Sequence, residues 1–213
     1  MNFDSLVMLT ATEAHFDLPM LVQAFDESRE SIRVQLSRWT GQGRVVRLRR
    51  GYYTLAKPYR SVPLSTAALA NTLCRPSYLS GLWALGFHDL IPERVHWLTS
   101  VTTRQPRRYK NAFGVFDYRN LKQEAFGGYR SVRDGSAEIF VAEPAKALLD
   151  HWHLNGGEWT NDRLEEMRYQ NVEQVDTKCL QELAARYRSP RIERAVARWV
   201  AMVAAAEEGT VKL

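Results

Sequence analysis

The chain has 213 residues, of which 45% are hydrophobic and 25% are charged, and its 29 basic and 24 acidic residues give a net charge of +5. This is the composition of a globular protein large enough for one or two domains. Because no run of 18 apolar residues occurs, we expect no transmembrane helix. Because the N-terminus lacks a basic segment before its apolar residues, we expect no signal peptide. The corresponding prediction is a cytoplasmic protein without membrane association.

The first 57 residues predict three short helices followed by a β-hairpin. We expect the helices at residues 3–9, 18–25 and 29–40. On the third helix, Ile32, Leu36 and Trp39 recur at helical spacing and form one apolar stripe. Short β-rich runs at 45–48 and 52–55 then flank a turn, which is the pattern of a hairpin. This order of elements predicts a winged helix-turn-helix domain over residues 1–60.

A second domain is predicted over residues 61–213, after a linker at 57–63 that contains two prolines. The predicted helices are 64–74, 78–85 and 144–153, followed by a mostly helical segment at 161–208. The predicted strands are 95–101, 114–118 and 135–141, with a basic loop at 104–110. The expected fold class is therefore α+β, with a mixed domain that ends in helices after the winged helix.

Basic residues are concentrated in the third helix and the hairpin. Residues 29–60 hold nine basic side chains and one acidic side chain, a balance of +8 in 32 residues. A recognition helix and a basic wing are the elements that contact the major groove and the phosphates of duplex DNA. The predicted DNA contacts are Arg29, Ser31, Arg33, Arg38, Arg44, Arg47, Arg49 and Arg50. The alternative is a protein-docking module whose arginines are only solvated.

A second basic cluster lies in the segment at 104–110. It consists of Arg104, Arg107, Arg108 and Lys110, with Tyr109 placed to stack on an unpaired base. We predict that this cluster is a surface for nucleic acid. A solvated loop between two strands is the alternative interpretation.

Signals for catalysis and for metal or cofactor binding are weak, so we expect no enzyme, no cofactor and no metal site. The two cysteines, Cys74 and Cys179, are too few for a disulfide framework or a cysteine-rich zinc site. His151 and His153 are two residues apart and therefore point to opposite sides of a helix. A nuclease built on Asp134, Glu138 and Glu143 remains a minor alternative, which metal-dependent DNA cleavage would support.

Three short motifs occur in order along the chain. The matching residues are Arg50 to Tyr53 in the first, Tyr78, Ser80, Ala84, Leu85, His88 and Leu90 in the second, and Pro144 with Lys146 to Asp150 in the third. In this set the chain resembles the AbiEi-like antitoxins and regulators of bacterial abortive-infection systems. The resemblance spans about residues 29–150. It departs from the family at Asp89, where a glycine is expected, and at Ala145, where an acidic residue is expected.

The resemblance implies an antitoxin whose winged helix represses its own operon at inverted-repeat operator DNA. It also implies that the C-terminal domain neutralises a nucleotidyltransferase-like toxin without a stable complex, which makes the basic cluster at 104–110 a candidate surface for that activity. The expected oligomeric state is a monomer or a weak dimer. The alternative is a stand-alone winged-helix regulator whose second domain dimerises or senses a ligand. A toxin gene beside this one would favour the antitoxin.

Overall fold

A computed structural model describes residues 1–210 and arranges them as nine α-helices and two β-sheets. The helices are α1 (Phe3–Leu9), α2 (Leu18–Ala24), α3 (Arg29–Gly41), α4 (Thr66–Leu73), α5 (Gly81–Phe87), α6 (Pro144–Leu154), α7 (Asn161–Glu166), α8 (Thr177–Ala185) and α9 (Pro190–Thr210). The strands are β1 (Phe16–Asp17), β2 (Val45–Arg49), β3 (Tyr52–Leu55), β4 (Ser77–Leu79), β5 (Leu98–Thr102), β6 (Arg107–Asn111), β7 (Gly114–Asn120), β8 (Tyr129–Asp134) and β9 (Ala137–Ala142). The predicted α+β class is confirmed.

Residues 1–60, here called the N-terminal unit, pack α1, α2 and α3 against a small antiparallel sheet with the strand order β1-β3-β2. Side chains of Asn2, Asp17 and Ser28 accept hydrogen bonds from backbone N–H groups in the first turns of the three helices. These caps and the apolar stripe of α3 explain why the helices begin and pack as they do. The unit has its own buried core around Leu36 and Trp39.

Residues 61–210, here called the second region, surround a six-stranded mixed sheet with the order β6-β7-β5-β4-β9-β8. β4 runs parallel to β9 and β5 parallel to β7, whereas the other pairs are antiparallel. Helix α6 is buried from Ala145 to Trp152, and its contacts with α5, α8 and α9 place it at the centre of the larger core. The C-terminal part is helical, as the sequence predicts.

The predicted basic loop at 104–110 is wrong for its second half, because Arg107–Asn111 forms strand β6. The strand pairs with β7 through a tight turn at Asn111 and Gly114. Tyr109 packs against the larger core and its ring meets the Tyr118 ring edge to face, so the ring is only partly exposed. Charged side chains on an edge strand are usual, since they prevent pairing with other chains. In β6 they give the strand the polar composition that is typical of a loop.

The predicted helix at 78–85 is also wrong at its start, because Ser77–Leu79 is strand β4 and the helix begins at Gly81. All three residues of β4 are buried between β5 and β9. A strand that is buried on both faces shows no alternation of polar and apolar residues. Strands β1 and β8 were not predicted, and the strand expected at 95–101 is β5 at Leu98–Thr102.

The two regions meet at strand β2. Arg47 lies opposite Tyr53 and Arg49 lies opposite Tyr52, so Leu48 is an extra residue in the ladder, a β-bulge. The Leu48 side chain is buried in the larger core of the second region, not in the core of the N-terminal unit. Its carbonyl oxygen accepts a hydrogen bond from Asn111 Nδ2 at 3.0 Å. The hairpin is therefore attached to the second region.

Candidate nucleic-acid interface

A groove of about 590 Å³ separates the exposed face of α3 from the β2–β3 hairpin. Its lining residues are Leu18, Pro19, Arg29, Arg33, Ser37, Arg47, Arg50, Gly51, Tyr52 and Tyr53. The residues at 29, 33 and 37 follow one another at a spacing of four on α3, so they project from one side of the helix. Gly51 has φ of +78° at the turn of the hairpin, a conformation that glycine adopts without strain. Helix and hairpin thus direct four arginines into one groove.

The groove is strongly positive, because none of the described residues that line it is acidic. Arg33 donates a hydrogen bond to Glu30 one turn away, at 3.0 Å, and both side chains are exposed. Among residues 1–206, whose side chains the structure describes, no ion pair involves Arg29, Arg47 or Arg50. Guanidinium groups in such a place are available to bind phosphate oxygens.

The other four predicted contacts lie outside this groove. Ser31 donates its hydroxyl hydrogen to Glu27 Oε2 at 2.9 Å and is half-buried. Arg44 places its guanidinium over the Phe3 ring at 5.1 Å, and Arg49 lies over the Tyr52 ring at 3.6 Å. Arg38 is exposed on another side of α3. The structure therefore brings together half of the predicted DNA contacts.

Sequence reasoning missed Ser37, Pro19 and the two tyrosines as lining residues of the groove. The helical spacing that relates Arg29 to Arg33 would also have identified Ser37. The tyrosines occur in the sequence analysis only as members of the first motif. Their position depends on how α2 and the hairpin pack, for which the sequence carries no local signal.

The second basic cluster is divided between the two faces of strand β6. Alternation along the strand places Arg107 with Tyr109 on one face and Arg108 with Lys110 on the other. A hydrogen bond with Tyr109 raises the pKa of Arg107, and Arg108 Nε donates to Asp117 Oδ1 at 3.2 Å. Arg104 precedes the strand and is exposed. The four charges therefore do not form a single patch on one flexible loop.

Residues of the second and third sequence motifs meet in a buried polar cluster. The Asp150 carboxylate accepts four hydrogen bonds from side chains on three parts of the fold. The donors are Tyr78 (3.1 Å), Ser80 (2.7 Å), Lys146 (2.6 Å) and Tyr187 (2.6 Å). Lys146 and Asp150 are one helical turn apart on α6, and both side chains are fully buried. Sequence reasoning named Tyr78, Ser80, Lys146 and Asp150 only as motif matches without a role, and it missed Tyr187.

The chemistry of this buried cluster is that of a closed ion pair. Burial lowers the pKa of Lys146, and the neighbouring Asp150 carboxylate opposes that change. Burial and the same carboxylate raise the pKa of Tyr78 and of Tyr187 well above 10. Since Lys146 and Asp150 have no exposed surface, the cluster joins β4, α6 and the end of α8 and is not accessible to a substrate.

Side chains that could hold a metal do not cluster: over the described residues no group of three or more His, Cys, Asp or Glu meets that requirement. Asp134 accepts from Ser65 and Glu138 from Ser131, so two carboxylates of the nuclease alternative are engaged in hydrogen bonds at the β8–β9 hairpin. None of the described helices is long and apolar enough to span a bilayer.

No model of a protein family fits the chain, and no curated protein is significantly similar to it. Function is therefore inferred from the residues and from their geometry.

Proposed function

We propose that the protein binds duplex DNA through the groove between α3 and the β2–β3 hairpin. In this proposal the N-terminal unit is a winged helix, α3 is its recognition helix and the hairpin is its wing. The observation that carries the proposal is the convergence of Arg29, Arg33, Arg47 and Arg50 on a groove without acidic lining. A DNA backbone is a regular array of phosphates, which is the partner that four such side chains on two rigid elements fit.

The test removes the four groove arginines together and measures duplex affinity as a function of salt. We expect replacement by Ala to lower the slope of log K against log salt by about 0.9 for each phosphate contact that is lost. The control removes four exposed basic residues outside the groove, at Lys57, Arg94, Lys122 and Lys178. Both variants change the net charge from +5 to +1. Equal losses of duplex affinity in the two variants would show that net charge alone determines binding and would reject the groove as the binding site.

Single variants separate sequence recognition from phosphate binding. Arg33 lies on the recognition helix, and we expect Arg33→Ala to cost about 1–3 kcal/mol on the operator and less on scrambled DNA. Arg50 lies at the hairpin turn, and Arg50→Ala should weaken binding to both sequences alike. The same effect for both variants on both sequences would remove the recognition role of α3.

We further propose that the second region neutralises a nucleotidyltransferase-like toxin, as the AbiEi-like resemblance implies. The support is that the second and third motifs meet in one buried cluster, so the matched residues behave as one structural unit. The experiment searches the neighbouring genes for a nucleotidyltransferase-like toxin and co-expresses that toxin with the full chain in a growth assay. Failure of the soluble protein to rescue growth would favour the stand-alone regulator.

One observation favours that second candidate, the regulator whose second domain senses a ligand. A cavity of about 520 Å³ lies between the two regions, beside His15, Thr72 and Arg75. Clefts between domains are common sites for small molecules. A ligand that changed duplex affinity without any toxin would support this candidate.

A further inference from the structure

The β2–β3 hairpin has little support from its own sheet. The strand order β1-β3-β2 leaves β2 at the edge, and β1 contributes only Phe16 and Asp17. Two-stranded hairpins are at best marginally stable by themselves. The base of the hairpin packs in the core of the N-terminal unit, and at its turn the Gly51 carbonyl oxygen accepts from the Leu18 backbone N–H. The outer edge of β2 between these points needs a further support.

That support comes from the second region, at the bulge in β2. The bulge turns the Leu48 side chain into the larger core, where 2% of its surface is exposed. It also presents the Leu48 carbonyl oxygen at the outer edge of β2, where it accepts the hydrogen bond from Asn111 Nδ2. Asn111 is itself fixed, because its Oδ1 accepts from the Phe113 backbone N–H at 2.8 Å. A side chain at the β6–β7 turn thus takes the place of a neighbouring strand.

The contact between Asn111 and Leu48, here called the joint, lies in the part of the hairpin that carries two of the groove arginines. Arg47 directly precedes Leu48, and Arg50 follows two residues later; both line the groove. Arg49, between them, is held by its position over the Tyr52 ring and by its hydrogen bond to the Arg50 carbonyl. Fixing Leu48 therefore fixes the backbone from which both groove arginines project. Preorganised contacts bind more tightly, because less conformational entropy is lost on binding.

We propose that Asn111 is a positioning residue for duplex DNA binding: it fixes the hairpin at Leu48 and so presents Arg47 and Arg50 to the DNA. The inference depends on the proposed function of the groove. It gives the second region a part in DNA binding that needs no contact between Asn111 and the nucleic acid.

The experiment uses the full chain, its Asn111→Ala and Asn111→Asp variants, and a mixed-sequence duplex of about three helical turns. Asp keeps the oxygen that Phe113 needs but lacks the donor to Leu48, whereas Ala removes both without adding charge. Since one hydrogen bond is lost, we expect both variants to bind about 3- to 10-fold more weakly. The salt slope should not change, because no phosphate contact is removed. Amide exchange in β2 and β3 should become faster.

Asn120→Ala is the matched control. Asn120 is an exposed residue at the end of β7, and its Nδ2 donates to the Arg104 carbonyl at 2.9 Å, away from the hairpin. This variant should bind DNA and exchange its hairpin amides like the wild type. The control therefore separates the joint at Leu48 from the general effect of losing an asparagine hydrogen bond.

Three outcomes would overturn the inference. Weaker binding by Asn111→Ala alone would assign the effect to the β6–β7 turn, and weaker binding by Asn111→Asp alone would assign it to charge. Faster hairpin exchange with unchanged affinity would show that hairpin position does not matter for binding. The proposed function fails separately if the wild-type chain itself shows no salt-dependent duplex binding.

Discussion

The N-terminal unit and the second region use charged side chains in opposite ways. In the groove, Arg29, Arg47 and Arg50 face solvent without an ion pair in the described part of the chain. In the second region, Lys146 and Asp150 are buried, and four donors surround the carboxylate. An exposed charge remains available to a ligand, whereas a buried charge must be matched within the fold. The comparison supports the proposal that the groove is the surface for a partner and that the buried cluster is a structural element.

The largest expected effect is the loss of stability on breaking the buried cluster. Asp150→Ala leaves the Lys146 ammonium and three hydroxyl groups without their acceptor, and we expect a loss of about 3–5 kcal/mol in the free energy of unfolding. Chemical denaturation measures this value. Glu165→Ala, an exposed acidic residue on α7, is the control and should stay within about 0.5 kcal/mol of the wild type. A loss below about 1 kcal/mol for Asp150→Ala would contradict the structural role of the cluster.

A pH dependence of somewhat smaller size is expected from His151, another polar group buried in the second region. Burial, with a contribution from Arg163, lowers the pKa of His151 to about 4, against about 6.5 in the unfolded chain. The unfolded state therefore binds the proton first as the pH falls. The contribution of His151 to stability is fully present above pH 6.5 and is lost as the pH falls from 6.5 to about 4. The difference corresponds to roughly 3 kcal/mol of unfolding free energy.

His151→Phe isolates this contribution from the other histidines. Burial also lowers the pKa of His15, His88 and His153, so the wild type should lose stability through all four side chains. The variant keeps a ring against Trp159, which lies 5.1 Å from the His151 ring. Denaturation at several pH values should show a shallower loss for His151→Phe than for the exposed control His96→Gln. Equal pH profiles would exclude His151 as a source of the dependence.

Apart from the two-residue strand β1, the elements of the N-terminal unit were predictable to within a residue or two, because each helix carries a local start signal. Asn2, Asp17 and Ser28 cap the three helices through side-chain oxygens, and glycine marks the hairpin turn. Strand β4 carries no such signal, since all of its residues are buried. Its identity depends on β5 and β9, which are distant in the sequence. Local chemistry therefore predicts the first unit better than the second region.

The candidate site was predictable only in part, for geometric reasons. Charge density along the chain identified the segment that lines the groove, and helical spacing relates Arg29 to Arg33. The bulge at Leu48 decides which hairpin arginines enter the groove, and it depends on contacts with the second region. Arg38 comes five residues after Arg33, which is about 140° around the helix. Counting charges cannot make these distinctions.

The smallest expected effect concerns the basic residues at strand β6, which test whether the comparison extends beyond the groove. β6 lies beside β2 through the hydrogen bond between Asn111 and Leu48, so its charges border the proposed DNA path. Replacing Arg104, Arg107, Arg108 and Lys110 by Ala should slow association with DNA and reduce its salt dependence, with little change in dissociation. We expect only a few-fold loss of affinity, well below the loss for the four groove arginines, since charges at the rim of an interface steer encounter more than they hold the complex.

Stopped-flow kinetics at several salt concentrations measures the association and dissociation rates. Because these charges also protect an edge strand from pairing with other chains, light scattering must show that the variant has the same oligomeric state as the wild type. A faster dissociation rate would place the cluster within the binding surface itself. Unchanged kinetics combined with lost rescue in the toxin assay would instead assign it to neutralisation.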